Sequence, residues 1–387
     1  MTVIRERIRS IDIARGIIMV LMAIDHVRVY SGVPPGGPTA GVFFTRWITN
    51  FSAPGFVFLA GTGAYLFGVR HGSTRELSRF LWTRGLWLIL LELTVLRLAW
   101  TFNFDYAHYV LAGVIWMLGW CMIVLAALVW LPLRAIGAIG IAMIACHNLM
   151  DPYVPQIEQG LEHAPMAWLW QILYFGGEIN GTPLVVLYVL VPWIGVMAAG
   201  YAFGALMRLE PARRDRMCYQ IGGAAILLFL VLRGLDGYGD PRHWTTLRQP
   251  PSAVLRFLNT NKYPASLLFL LMTIGPIIAS LPLLERARGA VANVLDVFGR
   301  VPLFFYLLHI PLIHALALVV SAIREGAVNP WLFANHPMSN PPPPEGYTWS
   351  LPLLYLVWAI AIALLYPACR WYARVKATNR SAWLSYL

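Results

Sequence analysis

His26 stands eleven positions after Arg15 in the stretch Ser10–Tyr30, SIDIARGIIMVLMAIDHVRVY. On an α-helix each residue turns ~100° and rises ~1.5 Å, so the two share nearly one face at depths roughly 16 Å apart. Asp12, Arg15, Met19, Met22 and His26 form one stripe at three- and four-residue steps. A cation then sits low, and an imidazole that titrates near neutral pH sits high on the same line. We read the stripe as the lining of a passage that connects chemistry across a bilayer. The plainer alternative is packing, with Asp12 and Arg15 paired at the surface. Ionisable groups inside a membrane are costly and usually functional, which favours chemistry for Asp25 and His26.

Further groups of residues add to this. Arg84, Glu92 and Arg97 fall in one apolar stretch, with Glu92 near its middle. A carboxylate there is protonated, paired with an arginine or turned toward a polar cavity; a buried ion pair that fixes packing is the bland alternative. Arg79, Arg84 and Arg15 lie toward one membrane face, where arginines suit bidentate contacts to a polyphosphate. The stretch VPLFFYLLHIPLIHALALVV places Tyr306 and His309 on one face, and puts His314 near the depth of His26. The spacing of the two histidines, with no carboxylate companion, argues against a metal site. Between two apolar runs, Asp236, Tyr238, Asp240, Arg242, His243 and Trp244 mix carboxylates with aromatics. Such a mixture suits a sugar, and equally an interfacial aromatic belt. Lys262 precedes the next run, where it snorkels or contacts substrate.

The elements that position these residues are membrane helices. Of 387 residues, 59% are hydrophobic and 12% charged, with mean hydropathy +0.64. A soluble domain carries about 25% charged residues, and long apolar runs exclude an alternating β-barrel. The expectation is an all-α, polytopic protein forming one domain over 1–387. Its spans fall near 12–30, 51–69, 81–99, 109–131, 134–150, 183–207, 218–235, 264–284, 301–322 and 351–372. Met166–Phe175 is too short to span easily and reads as an interfacial or re-entrant helix, or as a shallow eleventh element. With the N-terminus in the cytoplasm, 20 of the 29 Lys and Arg fall on the inner side. They begin with Arg5, Arg7 and Arg9 and end with Arg374, Lys376 and Arg380. Both termini are then cytoplasmic. The net charge of +11 is accounted for by topology and implies no nucleic acid. The N-terminal run resembles a signal peptide, but Asp25 and His26 interrupt it, so it reads as an uncleaved first helix. Cys121, Cys146, Cys218 and Cys369 read as small core residues without disulfides or metal. Gly61, Gly63, Gly200 and Gly204 read as close-packing positions.

No Walker loop, Rossmann fingerprint or GxSxG is present. The stretches RSIDIARGIIMVLMAIDHVRVY, SAPGFVFLAGTGAYLFG, NKYPASLLFLLMTIGP and FGRVPLFFYLLHIPLIH together resemble the bacterial relatives of heparan-α-glucosaminide N-acetyltransferase. The resemblance runs from about Arg9 to beyond His314. The Arg15–His26 spacing is also similar to that of the wider transmembrane acyltransferase superfamily, which O-acylates sugars.

The resemblance implies a bacterial inner-membrane acyltransferase. Such an enzyme takes an acyl group, usually acetyl, from cytoplasmic acyl-CoA, with no metal, and delivers it to a hydroxyl or amine of an extracytoplasmic sugar or glycan. It also implies His26 as the catalytic histidine and Arg15 as a CoA-side residue; Arg84 and Arg79, by their place toward the same membrane face, are expected to join Arg15 on the phosphates. The lysosomal enzyme has its proposed histidine in the loop after the first helix; here 31–51 contains none. Acyl transfer needs a base or nucleophile, and His26 qualifies, oriented by Asp25 or another carboxylate. Glu92 and His309 complete the catalytic set. Arg28, Asn50, Tyr306 and His309 are candidate donors to the oxyanion, and Asn50, Asp236, Asp240, Trp244, Lys262 and Tyr306 are expected to meet the acceptor. Small-residue faces allow a homodimer. The rival reading is a proton-coupled transporter or flippase that uses Glu92, His26 and His309 as a relay.

Overall fold

The helix α1 (Arg9–Ser31) is the axis on which the others pack. The structure, a computed structural model, describes residues 8–37, 39–161, 166–250, 252–335, 341–379, 384 and 386; Arg5, Arg7 and Arg380 lie outside the described residues. The longer helices that follow are α2 (Ser52–His71), α3 (Thr74–Leu91), α4 (Val114–Leu128), α5 (Leu133–Cys146) and α6 (Val191–Phe203). Next come α7 (Pro211–Leu235), α8 (Leu267–Arg286), α9 (Ala290–Arg300), α10 (Pro302–Glu325) and α11 (Leu351–Thr378). Among the described residues, six helical stretches are long and apolar enough to cross a membrane: Ala40–His71, Leu133–Leu161, α7, α8, α10 and α11. The protein is therefore a helical membrane protein. Helix α1 does not qualify by composition, because Asp12, Arg15, Asp25 and Arg28 interrupt it. Its charges are tolerated because α2, α8, α9, α10 and α11 surround it.

Local chemistry sets the helix ends. Helix α1 stops at Gly32, whose φ of 70° is the left-handed conformation that glycine adopts without a Cβ clash. Helix α3 starts on Ser73, whose Oγ accepts from the Glu76 N–H at 3.2 Å. Helix α8 starts on Ser266, whose Oγ accepts from Phe269 N–H at 3.0 Å. Beyond Leu91, α3 widens into a π-helical turn over Glu92–Leu96 and resumes as Arg97–Thr101. Such turns insert one residue and often mark functional sites.

The chain is mostly helical, as expected, and carries a small sheet besides. Its strands are β1 (Val110–Ala112), β2 (Gly177–Glu178) and β3 (Leu184–Val186), in the order β1-β3-β2. Strand β1 runs parallel to β3, with Val110 opposite Leu184 and Ala112 opposite Val186; β2 is antiparallel to β3. The expected spans 109–131 and 183–207 are thus each a strand followed by a shorter helix, α4 and α6. Periodicity could not show this, because an apolar strand and an apolar helix start look alike in a short run. Non-helical backbone is tolerated at membrane depth where it lines a cavity. The residues just after β1 and β3 do so: Gly113, Leu187 and Tyr188.

Helix α9 fills the inner segment between the expected spans 264–284 and 301–322. It lies against α1 at backbone contact. A Cβ on Gly16 would come within 1.9 Å of Leu295 O, and one on Gly299 within 1.7 Å of Asp12 O. The Gly61–Gly200 contact between α2 and α6 is equally close, as expected: each Cβ would stand 2.1 Å from a carbonyl oxygen of the other helix. Cys121, Cys218 and Cys369 are buried, whereas Cys146 is exposed, against expectation.

Candidate active site

Helices α1 and α10 bring His26 and His309 together. The rings stack with centroids 4.8 Å apart, and His26 Nδ1 lies 2.5 Å from His309 Nε2. The far side of His309 decides the protonation pattern. Its Nδ1 is 2.7 Å from the Tyr306 carbonyl oxygen and 3.2 Å from that of Phe305. A carbonyl only accepts, so Nδ1 carries the proton and donates. In the neutral ring Nε2 is then an acceptor, and His26 Nδ1 must donate to it. The lone pair of His26 is left on Nε2, for which the structure gives no hydrogen-bond partner among the described residues. Trp100 packs edge-on at 4.9 Å and completes the clamp on the His26 ring.

His26 opens onto a chamber of about 720 Å³, together with Asn50, Trp100, Tyr188, Tyr263 and Tyr306. Glu92 reaches the same wall. The π-helical turn that begins at Glu92 aims its carboxylate at the start of α4, where Oε2 accepts from the N–H groups of Ile115 at 2.7 Å and Trp116 at 3.1 Å. This is a helix N-terminal cap, and it favours a negative group. Gly113 leaves room for it, since a Cβ there would stand 2.9 Å from Glu92 Oε1. Glu92 therefore pairs with backbone rather than with an arginine.

A second, smaller chamber of about 270 Å³ lies along the other half of α1. Among the described residues, four cations line it, Arg15, Arg84, Arg300 and Lys376, beside apolar groups such as Met19 and Leu88. Arg15 is held there by donating from Nη2 to Leu59 O at 2.7 Å, with Asp12 at 4.0 Å. Tyr306 and Val114 line both chambers, so these two residues form the partition between them. The expected stripe on α1 is present in space: Arg15 and Met19 face the smaller chamber, and His26 faces the larger.

Other expected site residues stand elsewhere. Asp25 does not orient His26. Its Oδ1 accepts from Arg28 Nε at 2.8 Å and lies 3.8 Å from Arg46 Nε. Arg79 is exposed and off the smaller chamber. Asp236 and Trp244 lie off the larger chamber, where Asp236 accepts from the N–H of Trp244 and Trp244 Nε1 donates to Arg233 O. Asp240 also lies off the wall. Its Oδ2 accepts from Asn261 N–H at 2.8 Å and Ser266 Oγ at 2.7 Å, bracing the turn that presents Lys262 to the chamber. Asn50, on the wall, accepts from Arg46 Nη1 at 2.8 Å. His314 is fully buried away from the chamber, between the carbonyls of Ala99 and Leu332. Arg97 is likewise spent on backbone, donating to Tyr109 O at 2.9 Å.

Sequence reasoning missed Arg46, Trp100 and Tyr263 on the larger chamber, which Arg242 of the expected loop group also lines, and Arg300 and Lys376 on the smaller one. Arg300 and Lys376 carried a signal only as inner-side charges; Arg46 stood in a loop with no spacing to mark it. Among the described residues, no group of three or more His, Cys, Asp or Glu is placed to hold a metal.

A search of curated proteins finds no match to the chain. Among protein families, residues 7–234 match the one described as heparan-alpha-glucosaminide N-acetyltransferase, catalytic. The matched region carries Arg15, His26, Arg84 and Glu92, while His309 and Tyr306 come from the part beyond it. Since the match spans more than half of the 387 residues, the chain belongs to the heparan-alpha-glucosaminide N-acetyltransferase catalytic family, a family of membrane acetyltransferases.

Proposed function

We propose that the protein takes an acetyl group from acetyl-CoA supplied at the cytoplasmic face and passes it to a hydroxyl or amine of a sugar on the other side. One observation carries this reading: two chambers of different chemistry meet at Tyr306 and Val114, and His26 faces one of them. The smaller chamber suits the donor. Its cations match the phosphates of CoA, and its apolar lining matches the pantetheine arm. At about 270 Å³ it lies near the lower end of pockets that take drug-sized ligands, about 300–1,000 Å³. It therefore holds the arm, and leaves the nucleotide at its mouth. The larger chamber suits an acceptor, with polar groups and aromatic faces on one wall.

In the reaction, Nε2 of His26 removes the proton from the acceptor oxygen or nitrogen as that atom attacks the thioester carbonyl. The carbon–sulfur bond breaks, and the His26 imidazolium returns the proton to the departing CoA thiolate. His309 keeps the His26 ring in the required tautomer throughout. Tyr306, at the partition, is a donor to the oxyanion that develops there.

The topology belongs to the same proposal: one domain over 1–387, ten or eleven crossings, both termini cytoplasmic, and residence in a bacterial inner membrane as a monomer or homodimer. The clustering of Lys and Arg on alternate loops supports the orientation. The test is release of free CoA thiol by the purified protein in lipid nanodiscs, with acetyl-CoA and glucosamine. Release that depends on both substrates is expected. Binding or movement of sugar with no CoA release would contradict the proposal and favour transport.

A further inference from the structure

Val114 and Tyr306 line both chambers, so a thioester that meets the acceptor must lie between them. Val114 is the first residue of α4, and its backbone is held from both sides. Before it, Ala112 pairs with Val186 and its carbonyl oxygen accepts from Leu187 N–H at 3.1 Å. After it, the N–H groups of Ile115 and Trp116 donate to Glu92. Helix α4 has no room to slide on α3: a Cβ on Gly85 would stand 2.6 Å from Gly119 O, and one on Gly119 2.6 Å from Gly85 O. The Val114 side chain, branched at Cβ, is itself stiff. Across the partition, Tyr306 is 3% exposed, with its ring centre 5.0 Å from that of His309 and 6.2 Å from that of His26. Both sides of the passage are therefore fixed, and so is its width.

A thioester carbonyl carbon carries three substituents in one plane. The sulfur comes from the smaller chamber, whose lining suits CoA. The oxygen takes the Tyr306 hydroxyl. The acceptor attacks across the plane from the larger chamber, on the side of His26. The acyl substituent is left with the third direction, toward the other side of the partition, which is Val114. We propose that Val114 determines which acyl group is transferred: its two methyls leave room for the methyl of an acetyl group and crowd out a longer chain. The inference rests on the acyl transfer proposed above.

The test is kcat/KM for acetyl-CoA, propionyl-CoA and butyryl-CoA, with glucosamine as acceptor and free thiol as the readout, for the protein in nanodiscs. Wild type is expected to favour acetyl over butyryl by about tenfold or more. Val114→Ala, which removes both methyls, is expected to lower that ratio by about tenfold, through a higher kcat with butyryl-CoA. Val114→Thr keeps the branched shape and is expected to keep the ratio, whatever its absolute rate. Val114→Ile adds a methylene to the same wall and is expected to reduce the use of propionyl-CoA relative to acetyl-CoA, a second reading that does not depend on Val114→Ala folding. Equal kcat/KM for the three donors in wild type, a ratio unchanged in Val114→Ala and Val114→Ile, or one lost equally in Val114→Thr overturns the proposal. Acceptor-dependent CoA release from acetyl-CoA alongside any of these results leaves acyl transfer standing and removes Val114 from it. No release from any of the three donors in wild type sinks acyl transfer, and the role of Val114 with it.

Discussion

His309 donates from Nδ1 to the Tyr306 carbonyl oxygen and accepts at Nε2 from His26 Nδ1. This relationship turns a buried histidine into a device that sets which nitrogen of its neighbour is basic. It replaces the carboxylate usually expected behind a catalytic imidazole, since Asp25 is committed to Arg28 and Arg46.

His309→Ala is therefore expected to lower kcat by about 10²-fold or more through loss of tautomer and orientation. The KM for acetyl-CoA should stay within a few-fold, because His309 lies off the smaller chamber. His309→Gln, which supplies an acceptor, should recover part of kcat. Steady-state kinetics of CoA release separates these outcomes; a rise in KM with kcat unchanged would assign His309 to binding instead.

The cations of the smaller chamber make the opposite prediction. Arg84→Gln should raise the KM for acetyl-CoA by about tenfold, the loss of one charge-assisted contact, with a smaller effect on kcat. An unchanged KM in Arg84→Gln would remove the donor from this chamber.

Glu92 is expected to matter for stability as well as activity. Glu92→Ala strips two buried N–H groups at the start of α4 of their acceptor, which costs about 1–3 kcal/mol for each unsatisfied group. Glu92→Gln keeps an acceptor and should lose less. Thermal unfolding of the protein in detergent, followed by tryptophan fluorescence, orders the three proteins; equal Tm values would contradict the cap.

The α1–α9 contact has no spare volume. Gly299→Ala would place a methyl carbon 1.7 Å from Asp12 O, so α9 must shift, at a cost of about 1–3 kcal/mol or more. Because Arg300 follows directly and lines the smaller chamber, the same variant should bind acetyl-CoA more weakly as well as melt earlier. A Tm and affinity equal to wild type would show that α9 is not seated as described.

Much of this was legible in the sequence where a residue type contradicted its surroundings. Charged residues in an apolar run marked α1, and a three-residue step tied Tyr306 to His309. The close-packing glycines of α2 and α6 were likewise readable from small residues at helical spacing. What stayed hidden depends on folding back over long sequence distances. The partner of Glu92 is backbone N–H at a helix start, which no side-chain pattern announces. Arg46, Trp100 and Lys376 reach the chambers from three separate elements. Asp236 and Asp240 looked like substrate contacts because loop carboxylates near aromatics suit sugars, yet both are consumed by hydrogen bonds that hold the loop itself. Helix α9 escaped notice because it is short and ends in charge.

The central claim is that His26 performs the chemistry between the two chambers. The most direct test compares wild type and His26→Ala in nanodiscs, measuring acetyl-CoA binding and acceptor-dependent CoA release side by side. The account predicts retained binding with release reduced by at least about 10²-fold. Equal release by the two proteins would contradict it and move the base elsewhere on the chamber wall.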